Sequence, residues 1–168
     1  TSQVTNMSLL FVNDKALTKA DVSHFDTSQV TSMERMFDNT ALTEVDLSSF
    51  NTSKVTNMSG MFRNSLMKHL NLKSFDTSQV TDMGEMFADS EVVELDLANF
   101  DTSNVTNMAG MFAEVKVSEL NLKHFNTSKV KNMSRMFFST ENLSNLDLSS
   151  FDISQVTDME RMFSGSAI

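Results

Sequence analysis

The side chains best equipped for chemistry in this 168-residue chain fall into columns, one member every 25 residues with one slip to 26. One column is Asp21, Asp46, Asn71, Asp96, Asn121 and Asp147, and beside it run Lys19, Glu44, His69, Glu94, Glu119 and Asn145. Carboxylates in a row attract basic protein patches and can bridge calcium. The same row also serves as a solvated face that keeps a repeat protein in solution. The candidate ligand-binding set read from these columns is Glu44, Asp46, His69, Asn71, Glu94, Asp96, Glu119 and Asn121. A third column, Asp26, Asn51, Asp76, Asp101, Asn126 and Asp152, is followed by Thr-Ser in every copy except Ile153-Ser154. Periodic aspartates hold calcium in some repeat arrays, but those sites use glycine-rich turns, and this chain has four glycines. Helix capping is the simpler account, with each side-chain oxygen accepting from the free amides of a first turn.

Other chemistries find less support. His24, His69 and His124 do not cluster; His24 and His124 share a repeat position but stand four rungs apart, about 19 Å at strand spacing. Neither a zinc site nor a catalytic dyad follows, and no metal or cofactor is expected. The serines have no partnered base and no nucleophile elbow. Without a paired acid and base, an enzyme is not expected. The fourteen methionines invite a soft-metal reading, yet their slots also take Leu10 and adjoin phenylalanines, so adaptable packing explains them. Asn-x-Ser/Thr matches such as Asn57-Met58-Ser59 are by-products of the repeat.

Whatever these residues do, the repeat must position them. Phenylalanine recurs at Phe25, Phe50, Phe75, Phe100, Phe125 and Phe151, valine from Val30 to Val156, and methionine from Met33 to Met159. A period in this range is the mark of stacked repeats, each too small to bury its own core. In Val45-Asp46-Leu47 and its copies, apolar and polar residues alternate, which predicts a short strand. In Val30, Met33, Met36 and Phe37 the apolar spacing is three, three and one, which predicts a short helix over residues 28–37. A 3₁₀ start, or an extended start before a single helical turn, is the alternative. The expectation is therefore an α/β fold: a right-handed leucine-rich-repeat-like solenoid with one short parallel strand and one short helix per repeat. Residues 1–168 read as a single array of about six to seven repeats. Both ends fall inside a repeat, so the chain is expected to be a fragment of a longer protein.

The bulk numbers narrow the partners. A net charge of −9 argues against binding nucleic acid or docking on an anionic membrane surface. No apolar run approaches the length of a membrane span. With no cysteine there is no disulfide frame and no thiolate chemistry.

The string running through Leu95-Asp96-Leu97, Phe100-Asp101-Thr102-Ser103 and Val105-Thr106 to Met108 and Met111-Phe112 resembles the BspA-type leucine-rich repeats of bacterial surface proteins. The likeness covers essentially the whole chain. It implies export, anchoring to the cell wall or membrane through regions outside this sequence, and an extracellular setting. It also implies an adhesin whose repeats bind a host matrix or cell-surface protein, here through the strand face. A structural stalk that projects another domain is the second expectation. A glycan-binding module ranks last, because sugars stack on exposed aromatics and the chain has no Trp or Tyr. End-to-end self-association through apolar terminal rungs is a further expectation.

Overall fold

The computed structural model describes residues 1–168. Each 25-residue unit makes one coil, and successive coils lie against each other in parallel register. The core columns line up as continuous seams. Phe37, Phe62, Phe87, Phe112 and Phe137 are fully buried, as are Met33, Met58, Met83, Met108 and Met133. Neighbouring rings in the phenylalanine column, such as Phe62 and Phe87, lie 6.0 Å apart at an interplanar angle of 6°. The column runs unbroken from Phe11 to Phe163.

The expected α/β leucine-rich-repeat solenoid, with a strand and a helix in each repeat, is not what forms. None of the 70 backbone–backbone hydrogen bonds joins an amide to the carbonyl four residues before it. Residues 28–37 are turns and single-residue bridges, and no residue of the chain is helical. The reason lies in where the amides go. Those of Met58, Gly60, Phe62 and Asn64 leave the local chain and bond to carbonyls of Asp82, Gly84, Met86 and Ala88 in the next coil, at 2.8–3.0 Å. Only the amides between them stay local, Met61 to Met58 at 3.2 Å and Arg63 to Gly60 at 3.1 Å. Two residues per coil also take positive φ, for example Gly60 at 61° and Asn64 at 50°. A left-handed residue at the third position is what a type II turn requires, and it ends any run of α-helix.

The strand expectation fails in a complementary way. No sheet forms, and the one continuous line of pairing runs through Asn6, Ser32, Asn57, Asp82, Asn107, Asn132 and Asp158, just before the first methionine of each unit. On the leucine segments only two bridges form, His69 with Glu94 and Glu119 with Asn145. Coils are therefore fastened by backbone along the methionine side and by little backbone along the leucine side.

Each coil reverses at three corners built alike. A side-chain oxygen accepts the amide two residues on, and a turn bond closes just after it. At residues 46–50, Asp46 accepts from Ser48 at 2.9 Å and Phe50 bonds back to Leu47 at 3.0 Å. At residues 51–55, Asn51 accepts from Ser53 at 3.1 Å and Val55 bonds back to Thr52 at 2.9 Å. At residues 57–64, Asn57 accepts from Ser59 at 2.9 Å ahead of the paired methionine turns. Asp and Asn suit these places because their short side chains reproduce a turn locally. The column of Asp26, Asn51 and Asp101 thus opens turns rather than capping helices, so the helix-capping reading is corrected while its local bond survives.

Threonine supplies a second ladder. Thr27, Thr52, Thr77, Thr102 and Thr127 are buried. The Thr77 hydroxyl donates to the Asp101 carbonyl at 2.8 Å and accepts the Asp101 amide at 2.8 Å. The same double bond recurs at Thr27, Thr52, Thr102 and Thr127.

Candidate functional site

The leucine face carries every residue of the candidate set. Val45, Leu70 and Leu95 turn partly inward onto the core. The alternating residues Glu44, Asp46, His69, Asn71, Glu94, Asp96, Glu119 and Asn121 are exposed. Alternation along an extended chain sends successive side chains to opposite sides, which explains the split.

The two columns of the set differ in what they have left to offer. Asp46, Asn71, Asp96 and Asn121 each spend an oxygen on a corner, accepting from the amides of Ser48, Lys73, Ala98 and Lys123. Such bonds favour the ionised carboxylate. The Asp46 carboxyl is accordingly held below its usual range by the amide and hydroxyl of Ser48. In the same column the hydroxyl and amide of Ser149, with Lys123 beside them, bring Asp147 down to about 2. The outer column is free by comparison. No hydrogen bond within the chain reaches the side chains of Glu44 or Glu119, and Glu94 has only His69 at 4.0 Å. Partner-free carboxylates therefore stand at Glu44 and Glu119, with Glu94 nearly so.

Between coils this face is open. The amides of residues 43–47 find no acceptor within the chain. Side chains bridge part of the gap instead. Ser74 donates to the Leu47 carbonyl at 3.0 Å, and Asn99 to Leu72 at 3.1 Å. His124 lies 2.9 Å from the Leu97 carbonyl, edge-on to Phe125. That histidine works as a clasp. Shallow depressions remain, one of about 640 Å³ lined by Lys19, Ala20, Asp21, Glu44, Val45, Asp46 and Asn71. Another of about 420 Å³ lies around Glu119, Asn121, Asn145 and Asp147. No three His, Asp or Glu side chains converge as a metal cage would require. No helix is long and apolar enough to cross a membrane.

Residues 1–94 and 64–168 each match the profile of the family described as Mycoplasma protein of unknown function, DUF285. The chain belongs to that family. The two overlapping matches together span the DUF285 array from first coil to last. No curated protein and no solved structure matches it.

Two residues on the face carry a signal that the columns alone conceal. Leu66 and Val93 are exposed, although Met67 and Val92 beside them are buried. Comparing equivalent positions reveals them, because other coils place Ala41, Glu91, Lys116 or Asn142 where Leu66 stands.

Proposed function

We propose that this DUF285 array is the extracellular protein-binding module of a bacterial surface adhesin of the BspA type. It would hold a host matrix or neighbouring-cell protein on its leucine face. The observation that carries the reading is the outer glutamate column. Glu44, Glu94 and Glu119 stand exposed, without a hydrogen bond inside the chain, beside depressions floored by Val45 and Leu95. Acidic rims around apolar floors suit recognition of basic protein surfaces. Membership in the family described as Mycoplasma protein of unknown function is consistent with a surface repeat protein.

The test is a binding screen of the chain against matrix proteins and mucins. It is repeated with Glu44→Lys, Glu94→Lys and Glu119→Lys combined. Glutamates are the right targets, because Asp46 and Asp96 also hold corners and their loss would disturb the coil. Binding that the triple substitution abolishes supports the face, and unchanged affinity for a verified ligand rejects it. The unbroken backbone seam favours one other reading, a stiff spacer that projects another domain. Consistent failure to bind any protein in the screen selects that spacer.

A further inference from the structure

The outward pattern of the leucine face breaks in two adjoining coils. Leu66 is 47% exposed and Val93 is 40% exposed. Coils elsewhere put Thr43, Lys68, Ser118 and Ser144 at the position of Val93. Isolated exposed apolar residues are ordinary, whereas neighbouring ones rimmed by charge mark interaction sites.

The same two coils are the place where backbone closes this face most fully. The Glu91 amide donates to the Ser65 carbonyl at 2.9 Å, and the Val93 amide to the Lys68 carbonyl at 3.0 Å. His69 and Glu94 form the bridge that continues this pairing. Leu66 and Val93 therefore lie on adjoining, paired coils two positions apart in register, with Cα atoms about 8 Å apart from strand spacing and rise. On each flank the face opens into a groove of similar size. One of about 350 Å³ has Leu66 on its lip, with Glu44, Lys68 and His69. The other, of about 360 Å³, has Val93 on its lip, with Glu94, Asp96 and Glu119. Four carboxylates face one lysine across the pair of grooves.

We propose that this closed pair of coils is the docking centre of the leucine face, and that its occupant is a protein segment carrying apolar side chains flanked by lysine or arginine. The proposal rests on the binding-face reading above and supplies its centre and its partner chemistry. Apolar anchors in small grooves carry most of the energy of an interface, and charge at the rim selects the partner. The bonded backbone beneath Leu66 and Val93 holds the anchors in place before contact, which lowers the ordering cost of binding.

The experiment titrates the isotope-labelled chain with three short peptides, alternating Leu-Lys, Leu-Glu and Ser-Lys, while backbone amide shifts are followed. The Leu-Lys peptide alone binds, and the amides of residues 66–69 and 91–95 shift. Combined Leu66→Ser and Val93→Thr weaken that binding about tenfold or more, with the thermal midpoint lowered only slightly because nearly half of each side chain is already exposed. Shifts centred on the groove at Glu119 and Asn145, or binding indifferent to the double substitution, overturn the docking centre and leave the face reading standing. Equal binding by the Ser-Lys peptide overturns the apolar half of the recognition. Binding by no peptide overturns the proposal as a whole. The glutamate variants in the matrix-protein screen report on the face separately.

Discussion

Thr77 sits buried between two coils, and its hydroxyl is donor and acceptor to the same residue, Asp101. Thr77→Val keeps the shape and removes both bonds. It leaves the Asp101 amide without its partner, a loss of about 1–3 kcal/mol. Urea melts of Thr77→Val and Thr77→Ser check this, with serine expected to retain most of the stability. The corner carboxylates make a second residue-scale prediction. Asp21, Asp26, Asp46, Asp101, Asp147 and Asp152 are all held below their ordinary value of 3.8 by the serine two residues on. A lowered folded value gives stability that is full above the unfolded value and lost as pH falls through the folded one. Thermal midpoints should therefore hold down to about pH 4 and drop progressively toward pH 2, the region where Asp147 titrates. At this scale the sequence was readable in part. The Asp-x-Ser spacing was in view, but the threonine beside it gave no sign that it would turn inward and clasp the next coil.

At the scale of the element, the misreading has a specific source. Met33, Met36 and Phe37 are all buried, and their spacing is what one face of a helix would show. Two successive four-residue turns bury the same three positions. The distinguishing signal lies in the residues between and after them. Gly60 and Gly110 fill one left-handed position, and Asn39, Asn64 and Asp89 fill the other. Glycine, asparagine and aspartate are the residues that accept that conformation most readily. Arg35, Glu85 and Arg135 occupy the first position in other coils, which hid the column from a reading by residue type. Far-ultraviolet circular dichroism should lack the helical double minimum; a strong helical signal from the folded chain would contradict the turn assignment. In the leucine segments the alternation holds, with Val45, Leu70 and Leu95 inward and Asp46, Asn71 and Asp96 outward, but no strand forms. Their pairing was not legible, because alternation says which way side chains point and nothing of how far away the next coil lies.

Across the whole molecule, the columns mattered more than the elements. Phe, Met, Val and Leu at a fixed period determine that coils superimpose, whatever local conformation carries them. The exposure of the candidate set was legible for the same reason, since an outward position in one coil is outward in the next. The exposed apolar pair was not, because Leu66 and Val93 depart from the period.

The fastening of the coils has a mechanical consequence. Backbone bonds along the methionine side run from each coil to the next, in the direction in which the array is stacked. Tension applied between Thr1 and Ile168 meets those bonds one rung at a time, as in a zipper, and does not shear them all together. Each rung that yields frees 25 residues, or about 80–90 Å of extended chain. A load carried through such an array would be met by a sequence of small releases that absorb a sudden pull before the chain is fully extended.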